Sequence, residues 1–394
     1  MKKLLFILVL VIVALGNLAW SSEDVYGLTV NMGRSANYHT KPSFDSDDRN
    51  IWQSGLVIFD YDAVVNSPEE FAQAVRQKLP TQKFLIYINC AETFEDQNIY
   101  QGRPLQKKLY QEALDHPEYF LKDTAGSDIV YWTRPRMRLM NFTSQCPTIE
   151  GQNWLDRCSA QLKDFFRDYG QDVDGIMIDN LFDNWTWMVK QFAVGLNFDA
   201  DRNLLPDPKD SINLWGKEGY EKLLQRLRSD LPSKIIVGNG MNRPEAYPER
   251  DGAMAEDFPN KLTGGWYATM NRYHQYCQKS RYSILHTVSP SNYRLTICSA
   301  LLENGYYALG QDVSVSLPQI ELGPPVETAL NPYGRQAGDY DDNLWYRHYQ
   351  KATVVVNPTA EPASFLCSGR KISIPPLSGC ILDNQTGADL LKEF

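Results

Sequence analysis

Polar side chains, most of them carboxylates and amides, recur just past short apolar runs in this chain. They are Asp60 and Asp62, Asn89, Asn141 and Thr143, Asp179 and Asn180, Asn239, Glu256 and Asp257, His286, and Gln311 and Asp312. Such groups grip hydroxyls, and a pair of carboxylates, one ionised and one protonated, can cleave a glycosidic bond through an oxocarbenium-like transition state. Two segments concentrate this chemistry. In Asp174-Gly175-Ile176-Met177-Ile178-Asp179-Asn180 an aliphatic run delivers Asp179 with an amide beside it, and in Asp251-Gly252-Ala253-Met254-Ala255-Glu256-Asp257-Phe258 a small-residue run delivers Glu256. Each acid also has a plainer reading, Asp179 as the N-cap of a following helix and Glu256 as a solvated or ion-paired surface group. Trp185, Trp187, Trp266, Tyr267 and Tyr273 follow these segments. Their rings could stack on sugar faces or pack in a core.

The elements that would position these residues alternate β-like apolar runs with helical spacing, the rhythm of a parallel α/β fold. The runs are Leu56 to Phe59, Phe84 to Ile88, Arg138 to Asn141, Gly175 to Ile178, Ile235 to Val237, Gly252 to Ala255, Ser283 to Val288 and Tyr306 to Leu309. Helices are expected at Pro68 to Lys78, Trp154 to Tyr169, Leu214 to Ser229, Met270 to Lys279 and Tyr293 to Asn304. Eight strands with interleaved helices predict a (β/α)8 TIM barrel, whose active site sits at the C-terminal ends of its strands. An open doubly wound sheet is the alternative, but no Gly-rich phosphate loop follows Leu56 to Phe59. Pro and Gly become frequent after Ser314, and runs such as Thr353 to Val356 and Ile372 to Ile374 predict a small C-terminal antiparallel β domain. The expected division is 22–316 for the barrel, 317–346 for a connecting or lid segment and 347–394 for the β domain.

Lys2 and Lys3 precede an apolar run from Leu4 to Leu15, and Ala19-Trp20-Ser21 offers small residues for a peptidase, so residues 1–21 read as a signal peptide. The alternative is a retained N-terminal anchor. A secreted or periplasmic protein, with no membrane association in the mature form, is the expectation. The net charge of −9, or −11 without Lys2 and Lys3, has no basic cluster to offset it, which argues against nucleic acid as a partner. The 7 Cys form no C-x-x-C pair; Cys146 with Cys158 and Cys367 with Cys380 are spaced as bridges, and reduced buried thiols fit equally well. No cofactor or metal is expected. His is scarce and unpaired, no P-loop or G-x-S-x-G elbow occurs, and the acids Asp199, Asp201, Asp207 and Asp210 lack the turn Gly and closing Glu of a calcium loop.

The two acidic segments, together with Leu223-Leu224-x-x-Leu227-Arg228, Ile236-Val237-Gly238-Asn239-Gly240, Asn357-Pro358 and Ile374-Pro375-Pro376-x-Ser378-Gly379-x-Ile381-Leu382, resemble the TIM-barrel glycosidases of hypothetical glycosyl hydrolase family 15. The resemblance spans roughly residues 50 to 385. It implies carbohydrate as substrate, Asp179 as nucleophile and Glu256 as acid/base, the disposition also used by barrel α-galactosidases. The family often places an acid and a Tyr before its late Leu-Gly-Pro; here Ser316-Leu317-Pro318-Gln319-Ile320-Glu321 precedes Leu322-Gly323-Pro324, a departure in the lid. Asp60, Asp62, Asn89, Asn141, Asn180, Trp185, Asn239, Trp266, Tyr267 and His286 are then the expected substrate contacts. Trp266 or Tyr267 is expected to wall Glu256 and raise its pKa, and Asn180 or Asn239 to keep Asp179 ionised. A polysaccharide-binding barrel without catalysis is the competing reading, with a lyase or deacetylase as a third.

Overall fold

The computed structural model describes residues 34–44, 54–133, 135–185, 197–260, 262, 264–280, 282–310 and 320–392. The expected signal peptide, Trp187, Gln311, Asp312 and the boundary at 316 and 317 lie outside the described residues.

Eight parallel strands form one sheet in chain order: β1 (Ala36–His39), β2 (Leu56–Asp60), β3 (Lys83–Ile88), β4 (Gly175–Ile178), β5 (Ile235–Asn239), β6 (Gly252–Ala255), β7 (Ile284–Thr287) and β8 (Tyr306–Leu309). A parallel bridge between Ser35 and Tyr307 brings the sheet round on itself, with Tyr307 N–H donating to the Arg34 carbonyl at 2.9 Å. The fold is the expected (β/α)8 barrel, with one strand reassigned. Arg136–Leu139 leaves the barrel and pairs antiparallel with Glu92–Phe94 and Val130–Thr133, while β1 takes the first barrel position. The Ala36–His39 strand has only Ala36 and Tyr38 facing inward, with polar Asn37 and His39 alternating with them, so no apolar run marks it.

Alternation along each strand sorts the side chains. Leu56, Ile58, Leu85, Met177, Val237, Met254, Ile284 and Ala308 fill the barrel interior. Val57, Phe59, Phe84, Ile86, Ile176, Ile178 and Ile236 pack outward against the helices. Gly175 opens β4 where no side chain fits, since a Cβ there would come within 2.1 Å of the Ile235 carbonyl oxygen. The helices include α1 (Tyr61–Asn66), α2 (Pro68–Gln77), α3 (Pro104–Asp115), α4 (Trp154–Asp168), α5 (Lys209–Asp230), α6 (Gly265–Lys279) and α7 (Tyr293–Leu302). An Asn153/Asp156 capping box starts α4.

The C-terminal strands β9 (Trp345–His348), β10 (Ala352–Asn357) and β13 (Ser378–Asp383) form an antiparallel sheet, and β11 (Ala363–Cys367) and β12 (Arg370–Ile374) form a hairpin. Val354, Val356 and Ile381 share a core with Leu295, Cys298 and Leu302 of α7, while Val355, Cys380 and Leu382 on the other face pack with Cys367 and Ile374. Arg294 on α7 ties the units further, donating to the Gly379 carbonyl at 2.9 Å. All 7 cysteines are free thiols, so neither candidate bridge forms. Cys367 pairs in register with Arg370 and Cys380 with Val355, which puts them in separate sheets. Among the described residues no helix is long and apolar enough to cross a membrane.

Asp62, an expected ligand contact, is a structural cap. Its carboxylate accepts from the backbone N–H groups of Leu105 at 2.6 Å and Gln106 at 3.2 Å, the first turn of α3. Burial and the adjacent Asp60 push its carboxyl up to about 7. The folded state therefore holds this proton more tightly than the unfolded chain, and stability falls as pH rises from about 4 through about 7. The shift corresponds to at most about 4 kcal/mol. Asp62→Asn should flatten the dependence of the urea midpoint on pH across this window; an unchanged slope would mean that Asp62 does not titrate there.

Candidate active site

The inward parity of the strands continues past the hydrophobic layers into a cavity of about 580 Å³ at their C-terminal ends. Leu56 and Ile58 lead to Asp60, Leu85 to Tyr87 and Asn89, Met177 to Asp179, Val237 to Asn239 and Met254 to Glu256, and all six polar residues line the cavity. Immediately after three of them the backbone turns left-handed, at Asn180 (φ 54°), Gly240 (φ 142°) and Asp257 (φ 57°). Such turns cost non-glycine residues free energy and recur where a side chain must be aimed. Arg250, fully buried between the rings of Tyr247 and Tyr276, donates to the Gly240 carbonyl at 3.0 Å and braces the middle turn.

One amide joins the two acids. Asn239 Nδ2 donates to Asp179 Oδ1 at 2.8 Å and to Glu256 Oε2 at 3.2 Å. Because 2.8 Å and 3.2 Å sum to 6.0 Å, those two oxygens lie no more than about 6.0 Å apart. Asp179 also accepts from the Tyr87 hydroxyl at 2.5 Å and from the Asn180 backbone N–H at 2.8 Å. Burial raises the Asp179 carboxyl above its ordinary value; the Tyr87 bond opposes this, the nearby Glu256 adds to it, and Asn239 and Asn180 oppose it in turn. The expected donors are thus present, but burial outweighs them and the net shift is upward. The Tyr87 phenol is itself pushed well above its usual range by burial and by Asp179, which keeps it a donor.

Beside this pair the cavity wall is a hydrogen-bonded lattice. Asp60 is buried, bonded to Arg103, to Gln106 Nε2 at 2.7 Å and to the Asp62 backbone N–H at 2.9 Å, so it caps α1 as well as lining the cavity. Asn89 and Asn180 donate through their side-chain amides to Glu92 Oε1 at 2.6 Å and 3.1 Å. No helix begins within 181–185, so Asp179 is not placed as a helix cap by the described residues.

Other expected contacts lie elsewhere. Asn141 and Thr143 are fully buried and bonded to each other at 2.7 Å, with Asn141 also donating to the Ala200 carbonyl, because their segment is not a barrel strand. Trp185 is buried against Phe142 and Tyr220. Trp266 is turned into the core, donating to Ser299 Oγ at 2.8 Å, and Tyr267 is partly exposed on α6; neither lines the cavity beside Glu256. His286 lies within β7, buried, with Nε2 3.1 Å from the Gly310 carbonyl. The aromatic lining is supplied instead by residues that sequence reasoning passed over, among them Tyr38, Tyr87, Tyr100, Tyr110 and Trp154. Strand parity would have found Tyr87; Glu92, Arg103 and Tyr100 come from excursions after β3 that leave no local signal. Asp199, Asp201 and Asp207 do cluster, but their oxygens accept backbone N–H groups of Ala200, Asn203 and Leu204 in tight turns.

The model of hypothetical glycosyl hydrolase family 15 matches residues 76–353. The chain belongs to that family. Comparison with the curated proteins gives no match. Among solved structures, the cycloalternan-forming enzyme from Listeria monocytogenes, in complex with a pentasaccharide substrate, is 9% identical with a TM-score of 0.50, over 93% of this chain and 41% of that one. The glycoside hydrolase domain of PelA from Pseudomonas aeruginosa is 11% identical with a TM-score of 0.46, over 73% of this chain and 99% of that one. At 9% identity the likeness to the cycloalternan-forming enzyme is one of fold. Fold and family together are those of a glycoside hydrolase.

Tyr87→Phe removes a donor to ionised Asp179, so the Asp179 pKa should rise further. Once a substrate is in hand, the acidic limb of the pH–activity profile should move to higher pH and turnover fall by roughly tenfold, the worth of one hydrogen bond to a charged group. A limb in its wild-type place would separate Tyr87 from the titration of Asp179.

Proposed function

We propose that this chain is an exported glycoside hydrolase that cleaves an oligo- or polysaccharide with retention of configuration, using Asp179 as nucleophile and Glu256 as acid/base. The observation that carries the reading is the amide of Asn239 shared between the two carboxylates. The bridge keeps Asp179 Oδ1 and Glu256 Oε2 within about 6.0 Å of each other, so both groups reach one glycosidic bond, and the retaining route asks for carboxyl groups about 5 to 5.5 Å apart. In the first step Glu256 gives its proton to the leaving oxygen while Asp179 attacks the anomeric carbon. In the second, Glu256 takes a proton from water as that water displaces Asp179. The three donors on Asp179, two on Oδ1 and one on Oδ2, fix the orientation of its carboxylate, and the amide of Asn239 stays in reach of both groups as charge moves between them. Asp60, Asn89 and Asn180, all on the cavity wall, suit sugar hydroxyls. The basic and apolar N-terminal run of 1–21 supports export.

A reducing-end assay across a polysaccharide panel tests this. Asp179→Asn and Glu256→Gln should each lower turnover by about 10² to 10⁴ with the fold intact, and proton NMR of the first product should show the anomer of the substrate. Near-wild-type turnover in either variant removes that residue from the pair. An inverted anomer removes the covalent route, and undiminished polysaccharide binding by both variants without turnover in any form favours the non-catalytic barrel.

A further inference from the structure

Glu92 is a buried acid in the cavity wall with no part in the two steps above. Its backbone is held apart from the barrel, in the short strand Glu92–Phe94, where it pairs with Leu139 of Arg136–Leu139. The residue is 8% exposed, and burying a carboxylate is costly unless its bonds are well used. Two amides converge on one oxygen: Asn89 Nδ2 at 2.6 Å and Asn180 Nδ2 at 3.1 Å both reach Oε1. Asn89 closes the turn that leaves β3, with its own Oδ1 accepting from the Ala91 backbone N–H at 3.0 Å. Asn180 is the left-handed residue whose backbone N–H holds Asp179 Oδ1 at 2.8 Å. The next residue, Leu181, donates its N–H to the carbonyl of Asn239 at 2.9 Å. Glu92 therefore stands at the head of a chain of bonds running through Asn180 to Asp179 and Asn239, and on to Glu256.

We infer that Glu92 is a positioning residue: a buried acceptor that locks the Asn180 turn and, through its backbone N–H, the orientation of the Asp179 carboxylate. The role rests on the reading of Asp179 as nucleophile. It asks Glu92 for an acceptor oxygen rather than for charge. Asn is one of the few residues besides Gly that enters the left-handed region, and an anchored side chain selects that conformation from the others open to it.

Glu92→Ala, Glu92→Gln and Asn180→Gly separate the possibilities. In crystal structures, E92A should release Asn180 from its left-handed conformation and break its backbone bond to Asp179, whereas E92Q, whose amide oxygen accepts the same two N–H groups, should keep both. On any polysaccharide turned over in an Asp179-dependent way, E92A should lower kcat at least tenfold with KM within about twofold, and E92Q should restore most of kcat. N180G, which keeps the turn but loses the anchor, should add little to E92A in a double-mutant cycle; if E92A does not fold, N180G alone should lower kcat. An E92A structure with Asn180 and Asp179 unmoved overturns the inference with no substrate needed, as does wild-type kcat in E92A or N180G, or equal losses in E92A and E92Q. If Asp179→Asn turns over normally, the nucleophile assignment has failed. If it is inactive while E92A is unimpaired, only the role of Glu92 has failed.

Discussion

The side-chain amide of Asn239 is the constraint on which the site depends. A neutral NH2 has two hydrogens and can satisfy two acceptors at once. Here those acceptors are carboxylates after the two strands that flank β5, Asp179 after β4 and Glu256 after β6, with Asn239 between them on β5. Two carboxylates this close repel when both are ionised, and the upward shift at Asp179 registers part of that repulsion. The proposed mechanism asks that one of the two acids be protonated and the other ionised.

The barrel supplies that arrangement through the two-residue period of its strands. Parallel register fixes the height of each strand against the next, with Val237 opposite Met177 and Asn239 opposite Met254. The inward positions below are filled by Met177, Val237 and Met254, so the next inward positions emerge at the cavity floor. Left-handed residues at 180, 240 and 257 then turn the chain away at once, leaving the functional side chain as the last inward residue of its strand. A buried arginine, Arg250, and a buried carboxylate, Glu92, brace two of these turns from behind.

Much of this was legible in the sequence because it is local. Asp179, Asn239 and Glu256 end aliphatic runs whose alternation names their facing. Reading Arg138 to Asn141 as a barrel strand and missing Ala36–His39 left the count at eight and the fourth, fifth and sixth positions unchanged, so the two errors compensated for the site. They did not compensate for Asn141, which followed its segment out of the barrel. What stayed hidden is non-local. Trp185 and Trp266 differ from a sugar platform only in what packs on them, and rings of that size are core by default. Asp62 reads like a rim acid until α3 arrives to present its first-turn N–H groups. Glu92 belongs to the site because a strand pairing 47 residues away in sequence, with Leu139, holds it there.

Trapping the glycosyl-enzyme tests the central claim most directly. A 2-deoxy-2-fluoro glycosyl fluoride matched to the sugar that the enzyme releases should inactivate it by slowing breakdown of the covalent intermediate, and peptide mass spectrometry should place one added sugar on Asp179. A label on Glu256 or Glu92 would contradict the assignment of roles. An enzyme that turns over its substrate yet accumulates no adduct, and releases the inverted anomer, would contradict the close pair on which the account is built.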